Sequence, residues 1–401
     1  MLPEKENPQH MMLTGNYAAA YGAKLVRADV VPVYPITPQT TVMEKIIDLI
    51  NQGEFKAEYL PMESEHSVMA AAIAAEATGV RVFTASSSQG IAYMHENLFV
   101  ASGLRLPIVM ALVNRSIGPP ISIYPDHTDS LAQRDTGWIQ YYVENAQEVV
   151  DTIIQSYKVA ENRDVLLPVA VCFEGLVISH FLEPVEVPNQ HAVDDFLPAY
   201  EPDHVLLSPK KVMHLSVTVN DHYFMEYKYQ QQEAMDNAKA VIKEVDEEFG
   251  EKFGRSYGGL LKPYRMEDAE TAILSMGSSA GLARIAVDEL RKEGVLIGSI
   301  KLRVFRPFPE KELKASVENL KLLIVLDRDV SVGMGGIVYS EVAGSLYPLK
   351  SKPSLINYIA GLGGRVLKVN ELKKLTMRAL AEIEQGEVDR PTHWVGVRGL
   401  E

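Results

Sequence analysis

Short apolar segments alternate with helical segments along most of this 401-residue chain, and this alternation constrains the fold more than any other feature. In the first half, helical segments at 65–78, 90–102 and 146–160 lie between segments predicted to form strands, at 30–34, 57–60, 80–84, 107–113 and 166–173. Strands that alternate with helices form parallel sheets covered on both faces. The sequence therefore predicts an α/β fold.

The alternation resumes at Thr271 after an interruption, which predicts a second α/β unit. Its predicted strands and helices lie at 271–275, 279–293, 296–302, 309–317, 321–326, 337–346, 354–359 and 370–385. The interruption contains a proline-rich stretch without periodicity at 183–209 and a charged amphipathic helix at 228–249. We expect two α/β domains, at 1–205 and 265–401, joined by a helical connector at 206–264.

The charge balance excludes one large class of partner. Lys and Arg number 39, Asp and Glu number 53, and the net charge is -14. A surface of this sign repels polyanions, so we expect no nucleic-acid binding. The longest apolar runs, such as 107–113, are far shorter than the roughly 18 residues of a membrane helix. The polar start of the chain lacks a signal-peptide core. We therefore expect a cytoplasmic protein that does not bind membranes.

A single cysteine limits the redox chemistry of the chain. Cys172 lies in the apolar segment 166–173, so we expect a buried and inert strand thiol. One cysteine forms no internal disulfide. It also falls short of the roughly four thiolates that an iron–sulfur cluster requires, so this chain cannot hold such a cluster alone.

Two polar residues follow predicted strands at the edge where open α/β sheets bind ligands. The turn YPITP at 34–38 contains two prolines, which fix the backbone and place Thr37 at a strand end. Arg115 follows the strand 107–113, and the guanidinium fork binds a carboxylate through two hydrogen bonds. A stiff turn with a structural threonine, and a surface ion pair of Arg115, also account for these residues.

Two further segments lead from a strand into a helix. In MESEH, at 62–66, Ser64 suits the N-cap and Glu65 falls in the first turn, where the helix dipole favours a carboxylate. Glu65 is thus either a first-turn capping residue or a carboxylate directed at a ring nitrogen of a cofactor. The segment SSSQG, at 86–90, offers amides and hydroxyls to polar ligand groups.

Two remaining segments are interpreted more simply. The stretch 115–133 is rich in turns, and loops of that length in compact domains are usually functional. Its DHTD segment, at 126–129, matches no strong metal-ligand pattern, so we expect no metal site there. The segment GMGG, at 333–336, lacks the spacing of a dinucleotide-binding motif and is interpreted as a tight turn.

Taken together, these segments resemble a known family. The order and spacing of YPITPQT, MESEHSVMAA, FTASSSQG and NRSIGPPISIYPDHTDSLAQRDTG are similar to the α subunit of multi-subunit 2-oxoacid:ferredoxin oxidoreductases, above all the pyruvate:ferredoxin enzymes. The segments VFRPFP and SVGMGG resemble the transketolase C-terminal domain of that family. The resemblance covers nearly the whole chain. It implies a thiamine-diphosphate-type pyrimidine-binding domain followed by a transketolase C-terminal-like domain.

The resemblance also implies a reaction and its residues. The reaction is the oxidative decarboxylation of pyruvate with CoA to acetyl-CoA and CO₂, which reduces ferredoxin. The implied site residues are the catalytic Glu65, the substrate-binding Thr37 and Arg115, and the cofactor-binding Glu65, Pro35, Ser88 and Gln89. Glu65 would contact the aminopyrimidine ring, and Glu63, two residues earlier, is the second candidate for that role.

One family motif is missing from this chain. The cofactor diphosphate and its Mg²⁺ are held in the family by a GDG motif followed by an Asn, and the chain contains no GDG. The resemblance therefore implies a thiamine diphosphate site shared with a β subunit, and Mg²⁺ and [4Fe–4S] clusters on partner subunits. The implied partners are β, γ and δ subunits, ferredoxin, a 2-oxoacid and CoA. Two alternatives remain open: an α subunit that acts on 2-oxoisovalerate or 2-oxoglutarate, and a non-catalytic assembly subunit.

Overall fold

A computed structural model describes residues 8–202, 207, 209, 212, 214–386 and 391–399. The predicted domain boundary at 205–206 and the start of the chain lie outside these residues. The strands are β1 Gln9–Leu13, β2 Val30–Val33, β3 Glu58–Pro61, β4 Phe83–Ser86, β5 Val109–Asn114, β6 Ile139–Tyr142, β7 Val169–Glu174, β8 Glu183–Val187, β9 Leu261–Tyr264, β10 Thr271–Ser275, β11 Ile297–Leu302, β12 Val304–Arg306, β13 Leu322–Asp327, β14 Ser354–Ile359 and β15 Thr392–Trp394. The α-helices are α1 Gly15–Leu25, α2 Thr40–Asn51, α3 Glu65–Glu76, α4 Ser88–Tyr93, α5 His95–Gly103, α6 Thr128–Leu131, α7 Ala146–Ala160, α8 Gln190–Phe196, α9 Phe224–Phe253, α10 Ser279–Lys292, α11 Glu310–Val317, α12 Ile337–Leu346 and α13 Val369–Gln385.

The first half of the chain forms a parallel sheet. β5 pairs in parallel with β4 and β7, and β7 pairs in parallel with β6. β2 and β3 form a parallel pair, which a bridge between Val30 and Val82 joins to the side of β4. Every residue of β5 and β7 is buried, as expected for strands covered on both faces. The carboxyl ends of these strands lie along one edge of the sheet.

The second half forms a sheet of its own and also adds to the first. Its strand order is β15-β14-β13-β10-β11-β9, with only β9 antiparallel to its neighbour. β9 lies within the predicted connector but belongs to this sheet. The short strand β12 instead pairs antiparallel with β6, with Val304 opposite Tyr141. The two halves therefore share backbone hydrogen bonds.

The hydrophobic core is continuous between the halves. One cluster of buried side chains contains Met110 and Leu112 of β5 together with Leu323 and Val325 of β13. A second cluster lies between the first sheet and helices α1, α2, α7 and α9, and a third lies under α10 and α13. Each sheet is thus covered on both faces, which confirms the prediction from the alternating pattern.

Most predicted elements are present, and the departures have local causes. In the second unit the predicted elements agree with the structure to within one residue. The predicted helix 90–102 is divided into α4 and α5 at Met94, whose ψ of 2° is not helical. The stretch 183–209, predicted to lack periodicity, contains β8, which pairs with β1 and buries Val185 and Val187. No described helix combines the length and the apolar composition that crossing a membrane requires.

Candidate active site

Four connections meet at the carboxyl edge of the first sheet. They follow β2, β3, β4 and β5, and they carry the residues that the sequence analysis singled out. The Arg115 guanidinium, after β5, donates to the Thr37 carbonyl oxygen after β2. The Glu65 carboxylate, after β3, lies against Gly90 after β4. Residues that are distant in the sequence are therefore neighbours at this edge.

The turn after β2 is fixed by a side chain from helix α1. Asn16 is fully buried, and its Nδ2 donates to the Pro38 carbonyl oxygen and to the Thr41 hydroxyl, both at 2.7 Å. Thr37 itself is exposed, and its hydroxyl forms no hydrogen bond within the described residues. Pro35, in the same turn, is also exposed and takes no part in the hydrogen bonds of Asn16. The Thr37 hydroxyl is thus available to a ligand.

Arg115 is held by three uncharged oxygens. Its Nη1 donates to the Thr37 carbonyl at 2.7 Å, its Nε to the Ser122 carbonyl at 3.0 Å, and its Nη2 to Gln89 Oε1 at 3.1 Å. Among the described residues no carboxylate forms an ion pair with it. The guanidinium is therefore oriented while its charge stays uncompensated, which suits an anionic ligand.

Ser88 and Gln89 differ in what they present to the site. Ser88 is fully buried, with its hydroxyl 2.5 Å from both Gln89 Oε1 and the Ser116 carbonyl oxygen. Gln89 is half-buried and contacts Arg115 directly. Of these two predicted cofactor-binding residues, Gln89 is the more exposed, and the buried Ser88 hydroxyl supports its side chain.

Glu65 is a buried carboxylate without a partner in the described part of the chain. The Ser64 side chain caps helix α3 by accepting from the Ser67 amide at 3.2 Å, and Glu65 begins the helix with only 7% of its surface exposed. A methyl group at Gly90 would lie 2.5 Å from Glu65 Oε1 and 2.6 Å from Ser86 Oγ. Only a glycine at 90 lets helix α4 approach so closely. A buried carboxylate is costly unless a donor reaches it, so this arrangement suits an N–H group of a bound ring.

The alternative carboxylate, Glu63, has a different environment. It is exposed and accepts a hydrogen bond from the Ser67 hydroxyl, which lowers the pKa of Glu63. Its needs are met by this bond and by solvent. Burial and lack of a partner therefore favour Glu65 over Glu63 as the carboxylate that contacts a cofactor.

Sequence reasoning missed three residues of this site. Asn16 holds the turn after β2, Gly90 makes room for Glu65, and Asp129 accepts hydrogen bonds from the backbone amides of Ser88 and Arg115. From the sequence, Asp129 is a candidate only for metal binding, and Gly90 is only the end of SSSQG. Neither segment contains a signal that reports which distant residue lies against it.

The predictions for Cys172 and for the GMGG turn agree with the structure. Cys172 is fully buried in β7, as predicted, and burial raises the pKa of its thiol well above the usual value. No three or more His, Cys, Asp or Glu side chains of the described residues are grouped to hold a metal ion. The GMGG segment forms a tight turn in which Ser331 and Gly335 pair through their backbones.

Comparisons with protein families match most of the chain. Residues 21–247 match the pyruvate flavodoxin/ferredoxin oxidoreductase family, thiamine diphosphate-binding domain. Residues 269–372 match pyruvate:ferredoxin oxidoreductase core domain II. The predicted fold class is thereby confirmed, and a thiamine diphosphate-binding domain is present.

Individual relatives match almost the whole chain. The chain is 48% identical to the pyruvate synthase subunit PorA of Methanocaldococcus jannaschii, over 96% of this chain and 98% of that one. It is 47% identical to the ketoisovalerate oxidoreductase subunit VorA of Pyrococcus furiosus, with the same coverage of each. Among solved structures, the 2-oxoglutarate:ferredoxin oxidoreductase of Magnetococcus marinus is similar in fold, with a TM-score of 0.72 at 18% identity, covering 93% of this chain and 66% of that one.

Proposed function

This chain belongs to the pyruvate:ferredoxin oxidoreductase family, and we propose that it is the α subunit of a pyruvate:ferredoxin oxidoreductase. In that role it takes part in the CoA-dependent oxidative decarboxylation of pyruvate to acetyl-CoA and CO₂, and in the reverse synthesis. The observation that carries the proposal is the likeness to pyruvate synthase subunits over the whole chain. A subunit kept only for assembly would need neither the free Glu65 carboxylate nor the uncompensated Arg115.

In the proposed site, Glu65 holds the aminopyrimidine ring of thiamine diphosphate. When bound, thiamine diphosphate supplies a thiazolium ring that takes up the electron pair left as the 2-oxoacid loses CO₂. The buried Glu65 carboxylate would accept a hydrogen bond from a protonated pyrimidine nitrogen and would exchange that proton with the ring. Pro35 and Gln89 lie at the same sheet edge and border the cofactor.

Arg115 and Thr37 bind the substrate in this proposal. The guanidinium of Arg115 binds the carboxylate of the 2-oxoacid, and the free Thr37 hydroxyl donates to its carbonyl oxygen. One cation suits one carboxylate. A second carboxylate, as in 2-oxoglutarate, would be buried without a partner from these residues at a cost of several kcal/mol.

The remaining parts of the enzyme lie on partner chains. Because this chain has no GDG motif and one cysteine, a β subunit supplies the groups that hold the diphosphate and Mg²⁺, and partner subunits carry the [4Fe–4S] clusters. We place the complex of α, β, γ and δ subunits in the cytoplasm of an anaerobic cell, with ferredoxin as electron acceptor.

A second candidate substrate is 2-oxoisovalerate. The chain is about as similar to a ketoisovalerate oxidoreductase subunit as to pyruvate synthase subunits. Arg115 and Thr37 face the carboxylate and carbonyl groups that both substrates share, so they do not separate the two. The two additional carbons of 2-oxoisovalerate change binding by only about 1–3 kcal/mol each.

The test is an assay of the assembled complex. The chain is co-expressed with its partner subunits, and CO₂ release and ferredoxin reduction are measured with pyruvate, 2-oxobutyrate, 2-oxoisovalerate and 2-oxoglutarate. We expect the highest kcat/KM for pyruvate. A preference for 2-oxoisovalerate supports the second candidate, a preference for 2-oxoglutarate contradicts the charge argument, and inactivity with all four refutes the proposed function.

A further inference from the structure

We propose that Asp129 is a positioning residue, whose carboxylate sets the spacing of Gln89 and Arg115 and thereby the geometry of 2-oxoacid binding. This inference rests on the proposed function. Asp129 is fully buried behind the site, so it acts through these two residues and not on the substrate.

A single carboxylate oxygen joins the two segments that carry the substrate-binding side. Asp129 Oδ2 accepts from the Ser88 amide and from the Arg115 amide, each at 2.9 Å. Ser88 begins the helix after β4, and Arg115 is the first residue after β5. The backbones of both connections are therefore held to one atom, in addition to the pairing of the strands that precede them.

The other oxygen of Asp129 is anchored equally well. Asp129 Oδ1 accepts from Asn114 Nδ2 and from the Ser130 amide, each at 2.8 Å. Burial raises the pKa of Asp129 to about 7, although the hydrogen bonds act in the opposite direction. Each carboxylate oxygen thus accepts two hydrogen bonds, and these four bonds fix the position of the carboxylate between the two site segments.

The geometry of the site side chains follows from this arrangement. Ser88 has a φ of 49°, a left-handed conformation that a non-glycine residue keeps only where its surroundings hold it. The next residue, Gln89, turns its Oε1 to Arg115 Nη2 at 3.1 Å. If Oδ2 stopped accepting from either amide, the backbones at Ser88 and Arg115 would no longer be held at a fixed distance. The contact between Gln89 Oε1 and the Arg115 guanidinium would then be disturbed, and with it the orientation of the guanidinium.

The test compares two variants of the assembled complex. Asp129→Asn keeps the shape of the side chain, but its amide nitrogen cannot accept a hydrogen bond. One of the two pairs of donors therefore loses its acceptor. Asp126→Asn is the matched control, because Asp126 is buried in the same segment and, among the residues that the structure describes, accepts only from the Thr128 and Gly363 amides. Steady-state KM for the 2-oxoacid, KM for CoA and hydrogen exchange of segments 86–89 and 113–116 are measured.

We expect Asp129→Asn to raise KM for the 2-oxoacid roughly 10- to 100-fold, the range for a lost hydrogen bond to a charged group. KM for CoA should stay within about two-fold, and exchange should rise in both segments, whereas Asp126→Asn should change none of these values. An unchanged KM for the 2-oxoacid, an equal rise in both KM values, or unchanged exchange overturns the inference.

A second variant covers a failure of Asp129→Asn to assemble. Asn114→Ala removes one donor to Oδ1 and leaves the carboxylate in place, so a smaller rise in the same KM is expected, and no rise overturns the inference. A wild-type complex that is inactive with every 2-oxoacid refutes the proposed function instead. In that case the exchange of segments 86–89 and 113–116 still decides whether Asp129 holds them together.

Discussion

At the scale of single residues, the site depends on a carboxylate and a glycine that lie against each other. Glu65 is 7% exposed and has no partner within the described residues, and Gly90 leaves no room for a side chain above it. Glu63, by comparison, is exposed to solvent and accepts a hydrogen bond from the Ser67 hydroxyl. Two substitutions test this difference.

Glu65→Gln should lower kcat of the complex by roughly 10²–10⁴-fold, the range for a lost acid–base group. The glutamine has the same shape but cannot exchange a proton with the cofactor ring, so subunit assembly should be unaffected. Steady-state assays and size-exclusion chromatography measure the two properties. Glu63→Gln, the control, should stay within a few-fold of wild type. The reverse order of effects would show that Glu63 is the carboxylate in contact with the cofactor.

Gly90→Ala should displace the Glu65 carboxylate, because the added methyl group would lie 2.5 Å from Oε1. Misplacement of a catalytic group by about 1 Å costs up to roughly 100-fold in rate, so we expect kcat/KM to fall by about 10- to 100-fold. Alanine favours a helix by about 1 kcal/mol over glycine, so α4 itself should not be weakened. Gly344→Ala, in a helix with open space around it, is the control, and its kinetics should match wild type.

At the scale of elements, the loop after β5 is closed at its base and exposed at its tip. The Ser116 amide and hydroxyl both donate to the Tyr124 carbonyl oxygen, at 3.1 and 2.9 Å. Between them, Pro119 and Pro120 are exposed, and Ile121 is 79% exposed. The apolar tip is attached beside Arg115 and has little of its own to pack against.

We expect this loop to cover the site when substrate is bound, because excluding water protects the reacting carbon. Hydrogen exchange of residues 117–123 in the assembled complex should slow on addition of a 2-oxoacid, while α13 in the second sheet, at Val369–Gln385, should exchange unchanged. Equal exchange of the loop with and without substrate would contradict a covering role.

At the scale of the whole molecule, a buried carboxylate joins the two halves. Glu174, at the end of β7, is fully buried, and its Oε1 lies 3.1 Å from His127 Nε2 and 3.2 Å from Arg328 Nη1. The Ser278 amide, at the start of α10, donates to the same oxygen at 3.0 Å. Burial acts to raise the pKa of Glu174, but the His127 hydrogen bond and the Arg328 charge outweigh it and hold the pKa at about 2.

Glu174→Gln should therefore lower the free energy of unfolding by about 3 kcal/mol at pH 7, since the pKa rises from about 2 to about 4.3 on unfolding. The folded pKa is the lower one, so this contribution is complete above about pH 5 and is lost as the pH falls toward 2. Urea unfolding of wild type and variant at pH 7 and pH 3.5 measures the difference, which should shrink at the lower pH. Glu270→Gln, at an exposed pair with Lys321, should cost less than about 1 kcal/mol. A difference for Glu174→Gln that does not depend on pH would contradict this account.

Local periodicity in the sequence was sufficient to predict the α-helices α10–α13 and the strands β10, β11, β13 and β14 of the second unit, but not the short strands β12 and β15. The reason is physical: each helix or strand buries one face or both, and this burial requires a periodic pattern of apolar residues within a short segment. The buried stripe of α9, with Ala234, Ala238, Val241 and Val245, was visible in the same way. β8 was missed because a proline and two acids occupy the positions beside its buried valines.

The composition of the site was also partly readable. Parallel strands end at one edge, so residues that follow strands were expected to meet, and Thr37, Gln89 and Arg115 do meet there. Their roles in binding remain predictions. The resemblance names Glu65 first and Glu63, two residues earlier, as the second candidate. The structural preference for Glu65 rests on its burial and on the close approach of Gly90 to its carboxylate.

Contacts between distant segments could not be read from the chain. The pairing of β12 with β6, the attachment of the turn at 34–38 to Asn16, and the hold of Asp129 on Ser88 and Arg115 each join segments that local periodicity treats as independent. Hydrogen bonds of this kind depend on how the packed core positions each backbone segment. Many positions in the sequence carry an Asn or an Asp that could form such a bond, so the residue type alone does not identify the ones that do. The sequence therefore determined the fold class and most of the elements and predicted the candidate site residues, whereas the tertiary structure decided which side chains hold these segments in place.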